Sequence, residues 1–248
     1  MEVHKHPHHI THTKKWFEYL LEFLMLFLAV YLGFVAENVR EHNVEKEREK
    51  QYIESLIADL KSDQEVLVQH IVHIKFGLSM TDSLIVLLNS PLTISGNTGK
   101  LYYFARLAPR LKPLAINLRT LDQLKNSGNF RLIKNLGISN KIMTYYEKLP
   151  LIHLLESINE TEFTEYKKVA AKIFNSNVFL KMEDENGDIK WLVYNPPLRN
   201  INNELLQELS AFSVYMHGTK KTFIKTDTDL ETESAELINY LKKEYHLD

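Results

Sequence analysis

The sequence predicts a mainly α-helical protein in which an N-terminal transmembrane helix continues into a long amphipathic helix. Residues 23–36 carry no charge, and the longer segment 16–36 is interrupted only by Glu18 and Glu22. At about 1.5 Å of rise per residue, a helix of this length crosses roughly 30 Å of hydrocarbon. Glycine and proline number only 8 and 7 among 248 residues, which favours helices over an all-β fold.

The composition excludes several classes of function. There is no cysteine, so disulfides, thiol catalysis and cysteine metal sites are absent. The net charge is -2 and no basic patch stands out, so we expect no nucleic-acid partner. The sequence has no phosphate-binding glycine loop, nucleophile elbow or zinc-protease motif. We therefore expect neither an enzyme nor a cofactor.

The apolar segment has three interpretations: a cleaved signal peptide, a buried core helix, or a retained membrane anchor. Cleavage after Ala36 would place Phe34 where a small residue is needed, and the helical pattern continues past Ala36. We therefore predict a His/Lys-rich tail at 1–15 and a transmembrane helix at 16–36 in contact with lipid. The tail holds five histidines that could bind metal, form a flexible basic tail or be a cloning artefact, namely His4, His6, His8, His9 and His12.

The flanking charges predict the orientation of this helix. Lys5, Lys14 and Lys15 precede the span, whereas the basic residues after it alternate with glutamates. Under the positive-inside rule the N-terminus is cytoplasmic and the C-terminal domain periplasmic, in a single-pass protein of the inner membrane. The Lys/Arg balance is nearly even, so a cytoplasmic domain is the alternative.

One side of the span predicts helix association. Glu22, Ala29, Gly33, Ala36 and Arg40 recur at intervals that place them on one face. Ala29 and Gly33 form a small-xxx-small pair, which lets two backbones approach closely, so we expect a homo-oligomer. Glu22 either faces a partner helix or a protonation path, or reaches toward the lipid headgroups.

Residues 37–90 continue the helix as a juxtamembrane segment that begins very polar and becomes amphipathic. Neither glycine nor proline occurs between Gly33 and Gly77. Apolar residues then recur at three, four or seven positions, as in a coiled coil: Ile53, Leu56, Leu60, Leu67 and Ile74. Asp63 and His70 occupy the other seam positions and weaken a pure coiled-coil assignment. The predicted helix ends near Leu88 and bends near Gly77.

Residues 91–248 predict a helical domain that packs back on the long helix. Short helices are expected at 101–107, 118–126 and 130–135, and a long one begins at Ser139 with a kink at Pro150.

Residues 178–193 predict one short β-hairpin or an extended segment, because apolar residues alternate on both sides of an Asn-Gly turn. Helices at 203–224 and 228–245 close the chain, with Thr228 and Glu231 as a capping box.

Three internal patterns contain residues of the kind found in binding sites. Residues 184–188 resemble part of a calcium loop but lack its spacing, so a turn is the simpler interpretation. His70 and His73 lie three apart without a third ligand, which favours packed or solvated histidines. In the 117–135 segment a ligand site or a structural turn is expected from Arg119, Asp122, Gln123 and Asn129.

The N-terminal third of the chain also resembles an uncharacterised family of single-pass membrane proteins from Bacteroidota. The resemblance rests on Ala36-Glu37-Asn38 after the span and on the pattern Tyr-x-x-Ser-Leu-x-x-Asp-Leu from Tyr52 to Leu60. A Lys-Lys-Trp start and the stretch from Thr120 to Gly128 are similar too. The resemblance implies a membrane location and supplies no activity or site residue.

Three functional hypotheses follow from the sequence. The first is a membrane-anchored scaffold or interaction protein that associates with itself through the small-residue face. The second is a sensory or regulatory subunit that binds a ligand in its helical domain, which requires a pocket with converging polar groups. The third is an accessory subunit of an ion-driven membrane complex, with Glu22 as the titrating group.

Overall fold

The computed structural model describes residues 15–90, 94 and 96–247, and these residues form a mainly α-helical protein. Helix α1, Trp16–Leu88, is a single helix of 73 residues. It confirms that the apolar N-terminal segment continues into a long helix ending at Leu88. The helix passes through Gly77 without interruption. The chain divides into two compact units, one ending at Gln51 and the other beginning at Tyr52.

The first unit contains the apolar part of α1 followed by its polar continuation. This part of α1 is the only helix among the described residues that is long and apolar enough to cross a membrane. None of its most apolar window is buried, and large side chains such as Phe23, Leu26 and Phe34 are about two-thirds exposed, at 66%, 70% and 65%. Isolated apolar side chains on a surface are normal, but a continuous apolar helix exposed on all sides is not.

The second unit is built on α1 and the last helix, α7, Asn203–Glu244. Both helices bury side chains in an unbroken alternation of three and four residues, the repeat of a coiled coil. In α1 the buried positions that belong to this repeat are Ile53, Leu56, Leu60, Asp63, Leu67, His70, Ile74, Gly77, Thr81, Leu84 and Leu88. In α7 they are Leu206, Leu209, Ser213, Met216, Lys220, Phe223, Asp227, Leu230, Ser234, Leu237 and Leu241. Each helix thus has one mainly apolar seam and one largely polar seam.

Polar contacts set the direction of the long helices. Asn89 donates to Ser210 over 2.9 Å and His70 contacts Asp227 at 2.7 Å, so α1 and α7 are antiparallel. Helix α5, Leu149–Ile173, also runs antiparallel to α7. Its Lys148 end pairs with Glu233, and farther along Glu162 accepts a hydrogen bond from Thr219.

Shorter helices complete the second unit. They are α2, Thr98–Leu107; α3, Arg119–Asn126; a 3-10 turn, Asn129–Leu132; α4, Leu136–Tyr146; and α6, Ser176–Met182. The first three confirm the short helices that the sequence predicts between 101 and 135. Gly128, with φ of 69°, makes the left-handed turn between α3 and the 3-10 turn.

The core of the second unit consists of two apolar clusters with a polar layer between them. One cluster ends at Ile74 on α1 and at Phe223 on α7, and the other begins at Leu84 and Met216. The central polar layer lies between these limits and comprises Gly77, Thr81, Asn159, Glu162, Thr219 and Lys220. Three long helices therefore bury polar groups at the same level of the bundle.

The predicted β-hairpin at 178–193 is wrong in its first strand. Residues 176–182 form α6, in which Val178 and Met182 are buried one helical turn apart while Leu180 is 73% exposed. Asn175 caps this helix by accepting from the backbone N–H of Asn177. Only the turn and one isolated bridge, between Glu183 and Ile189, remain of the hairpin.

Two helix boundaries are also corrected. Residues 203–244 form one helix rather than two, because the buried repeat continues from Phe223 through Asp227 to Leu230. The Thr228 hydroxyl donates to the carbonyl of Ile224 inside the helix and caps nothing. Pro150 does not kink a long helix but lies in the first turn of α5, where its missing N–H is not needed.

Candidate ligand-binding site

The predicted association face lies wholly on the first unit. Glu22, Ala29, Gly33, Ala36 and Arg40 are all exposed, and nothing lies within 4 Å of a Cβ built on Gly33. Arg40 pairs with Glu37 one turn earlier on the same helix. The face is therefore exposed to solvent along the described part of α1.

The 117–135 segment has a structural part in the fold. Buried Asp59 accepts hydrogen bonds from the Asn117 amide, from Arg119 over 2.8 Å and from both the backbone and the hydroxyl of Thr120. The Asn129 amide donates to the Tyr52 hydroxyl over 2.8 Å. These bonds fix the start of α3 to α1, whereas Asp122 and Gln123 are exposed.

The calcium-loop-like residues 184–188 form a turn rather than a cation site. Asp184 accepts from the backbone N–H groups of Asn186 and Asp188, both over 2.9 Å, which makes 184–188 a turn. No cluster of three His, Asp or Glu side chains within the described residues could hold a metal ion. The histidine-rich tail at 1–14 lies outside the described residues.

His70 is a buried partner of Asp227 rather than an open ligand. Its Nδ1 lies 2.7 Å from the Asp227 carboxylate, and its Nε2 lies 2.7 Å from the carbonyl oxygen of Lys112. Burial alone would lower the pKa of His70, but the hydrogen bond and the charge of Asp227 raise it overall. Both ring nitrogens face acceptors, an arrangement that suits the doubly protonated ring.

Lys220 is the least expected residue of the central polar layer. Its side chain is fully buried, and its ammonium has no hydrogen-bond partner among the described residues. Burial lowers the pKa of Lys220 to about 8, and the charge of Glu162 opposes that shift. The Lys220 stem occupies the space beside Gly77, since a Cβ on that glycine would lie 3.3 Å from the Lys220 Cε.

A cavity of about 670 Å³ opens on the side of the second unit. It lies among α2, α5, α6 and the segment that begins at Pro109. This volume is in the range of small-molecule sites in proteins. Its aromatic lining comprises Phe163, Tyr166, Phe174 and Phe179. Tyr166 is buried and donates its hydroxyl hydrogen to the carbonyl of Ala105 over 2.9 Å, so the wall at this point is apolar.

The charged residues that line the cavity are all basic. They are Arg106, Arg110, Lys167 and Arg199, and no described lining residue is acidic. Arg106 pairs with Glu183 over 3.0 Å at the surface, and its Nε is buried without a partner. Lys167 lies over the Phe163 ring at 4.4 Å, which a cation tolerates because the ring face is electron-rich.

The segment 109–113 forms one wall of the cavity and also contacts α1. Pro109 and Arg110 line the cavity. Two residues later the Lys112 carbonyl contacts His70, and the Arg110 carbonyl lies beside Gly77, 3.6 Å from a Cβ built there. The segment therefore touches both the cavity and the polar seam of α1.

No sequence pattern indicated this cavity. Arg106, Lys167 and Arg199 come from three distant parts of the chain, and only folding brings them together. The closest local signal was the run Pro109 to Pro113, in which two basic residues stand between prolines. No family model, curated protein or solved structure matches this chain.

Proposed function

We propose that this chain is a membrane-anchored receptor whose helical domain binds a small molecule and passes its state to helix α1. The proposal rests on one observation: the 109–113 segment lines the cavity and also contacts α1. A ligand that moves Arg110 also moves the neighbouring carbonyls, which lie against His70 and Gly77 of α1. The proposal corresponds to the sensory hypothesis, whose requirement was a pocket with converging polar groups.

The central polar layer supports a regulatory role for helix α1. Packed apolar side chains resist displacement, whereas a layer with unpaired buried groups gains if a rearrangement gives them partners. Lys220, Asn159 and Glu162 each keep a buried polar atom without a partner among the described residues. The part of α1 in the central polar layer is thus held less tightly than the parts packed in the two apolar clusters on either side of it.

The test is to compare the wild-type chain with Ala171→Trp, purified in mild detergent from its own cells. Ala171 is exposed and lines the cavity, so tryptophan there fills space without disturbing the core. Native mass spectrometry should find a bound molecule below about 1 kDa on the wild type and on the control Ala211→Trp, but not on Ala171→Trp. Amide exchange around His70 should be faster in Ala171→Trp.

The same amount of bound molecule on the wild type and on Ala171→Trp would contradict the receptor proposal. A wild-type chain that carries no bound molecule would contradict it as well. Unchanged exchange in α1 would leave binding intact but refute the transfer to the helix. The control Ala211→Trp separates these results from a general effect of tryptophan, because Ala211 is exposed on α7 and does not line the cavity.

The proposal includes a single pass through the inner membrane with the second unit on the periplasmic side. It rests on the apolar segment of α1 and on the lysines that precede it. Protease added to intact spheroplasts should digest residues 52–248. Protection of this region until the membrane is broken would reverse the orientation.

Self-association is a second candidate, favoured by the arrangement of the exposed helix. At about 100° per residue, the face with Ala29 and Gly33 lies opposite the stacked rings of Phe23, Phe27 and Tyr31. Small residues on one side suit a partner helix, and aromatic residues on the other suit lipid. Gly33→Leu should reduce crosslinked dimer in membranes while Phe27→Leu leaves it unchanged. Monomer alone in the wild type would exclude this candidate.

A further inference from the structure

We propose that the ligand of the cavity is an organic anion with an apolar body, an inference that rests on the receptor function above. The cavity offers two kinds of surface, aromatic rings and cationic side chains, and few neutral polar groups. Each kind of surface selects one part of the ligand. A carboxylate, sulfonate or phosphate group is the chemistry shared by ligands that would satisfy the cations.

The charge balance favours an anionic ligand over a neutral or cationic one. Of the four lining cations, Arg106 alone pairs with a carboxylate. Arg199 donates to the Ala171 carbonyl, a neutral acceptor, over 3.0 Å. Arg110 makes no side-chain hydrogen bond or ion pair with the described residues. Two guanidinium groups beside the cavity therefore have no carboxylate paired with them among the described residues, which favours an anion and repels a cation.

The apolar surface excludes small inorganic anions and sugars as the main ligand. Four aromatic side chains line the cavity, and the Tyr166 hydroxyl already donates a hydrogen bond to the Ala105 carbonyl. A phosphate ion would leave this surface in water, and a sugar would bury hydroxyl groups without partners. A flat or chain-like apolar body instead covers the rings and gains from removing them from water.

Arg110 is the residue that we expect to contact the anionic group. Its side chain is exposed, so it can reach a ligand without breaking a bond that holds the fold. Its guanidinium can donate two parallel hydrogen bonds to a carboxylate. Because its carbonyl lies beside Gly77, the same residue joins ligand recognition to α1.

The test uses two probes of the same size, 2-naphthoate and its neutral analogue 2-naphthamide. Each is titrated into the full chain in zwitterionic lipid nanodiscs, with empty nanodiscs subtracted. Naphthoate should bind at least about ten-fold more tightly, since a charge-assisted hydrogen bond contributes more than 1.4 kcal/mol. Arg110→Gln should remove about this factor for naphthoate and leave naphthamide unchanged. Arg131→Gln, an exposed arginine outside the cavity, is the control.

Decanoate, titrated in parallel, distinguishes an acyl chain from a soluble aromatic acid as the apolar body. Tighter binding of decanoate would indicate a membrane-derived fatty acid, and tighter binding of naphthoate a soluble acid. Equal binding of naphthoate and naphthamide, lost in Ala171→Trp, would refute the anion and leave the receptor function standing. Absence of binding by both acids at millimolar concentration would refute the ligand class, and the native adduct would then decide the receptor function separately.

Discussion

Replacing Lys220 by methionine should stabilise the second unit, although it deletes a charged residue from a central helix. Methionine has nearly the same length and keeps the packing against Gly77. The Lys220 ammonium has no hydrogen-bond partner among the described residues, so the substitution breaks no hydrogen bond. The substitution removes the unfavourable free energy of burying a charged group away from water.

The pKa gives the size of the effect. Lys220 titrates near 8 in the fold, against an ordinary value of 10.5. At about 1.4 kcal/mol per pH unit, the buried charge costs about 3 kcal/mol at pH 7. The attraction between Glu162 and Lys220 is already contained in this pKa, because the charge of Glu162 opposes the shift. We therefore expect Lys220→Met to be about 3 kcal/mol more stable than the wild type at pH 7.

The pH dependence gives a second, independent measure. Because the folded pKa of Lys220 lies below the unfolded one, the unfolded chain binds more protons between pH 8 and 10.5. Wild-type stability attributable to this group therefore rises across that window. The advantage of the variant should shrink from about 3 kcal/mol at pH 7 to about 1 kcal/mol at pH 10.

Guanidinium unfolding of the full chain in nanodiscs, followed by tryptophan fluorescence, measures both effects. Trp191 is a suitable reporter because its ring lies 4.8 Å from that of Tyr103 within the second unit. The control is Lys221→Met, since Lys221 is exposed on the same helix and should change stability little. A Lys220→Met protein clearly less stable than the wild type at pH 7 would show that the ammonium has partners, and would refute the reasoning.

Two further predictions use the same measurement. Burial raises the pKa of Asp63 to about 6, so the folded chain binds more protons between the ordinary value of 3.8 and 6, and this group should lower wild-type stability by about 1 kcal/mol from pH 5 to pH 7.5. The fall should be about 1 kcal/mol smaller in Asp63→Asn, which keeps the contribution of His70, and an identical pH profile would contradict the assignment. Gly99→Ala should cost about 1 to 3 kcal/mol because its Cβ would collide with the Tyr194 carbonyl. Gly218→Ala, with open space around it, should gain up to about 1 kcal/mol, and equal effects at both glycines would refute the steric argument.

Local patterns were sufficient for much of the fold. The end of α1 at Leu88 and the short helices before residue 135 follow from hydrophobic periodicity and from proline and glycine positions. These signals act between neighbours in sequence. The first strand of the hairpin failed because Val178 and Met182 fit a helical face as well as an alternating strand. In so short a segment, packing against the rest of the domain decides.

The cavity could not be predicted, because its chemistry arises only from tertiary structure. The residues Arg110, Lys167 and Arg199 lie in a wall segment, a long helix and a loop. None of these positions carries a motif, since a binding cation needs no fixed spacing from another. By contrast, the bond between Arg119 and Asp59 could have been suspected once the first helix and the 117–135 turn were expected to pack together.

The division of the C-terminal helix failed for a different physical reason. A seam position in a coiled coil is buried whatever residue occupies it, so polar residues do not interrupt the repeat. Counting positions instead of hydrophobicity extends the repeat from Leu206 through Lys220 and Asp227 to Leu241. The same count on α1 marks Asp63 and His70 as buried, although their polarity suggested a weaker coiled coil.

These polar seam residues fix the register of α1 against α7. The apolar seams alone would tolerate a slip of one heptad, since apolar residues recur at every seventh position except Thr81. A slip in one direction would place Lys220 opposite Leu84, where no glycine makes room for its stem. A slip in the other would place it opposite His70 and bring Asp227 against Asp63. Of these three registers, only the observed one pairs His70 with Asp227 and places Lys220 against Gly77. The cost of burying Lys220 is therefore offset by the larger cost of either slipped register.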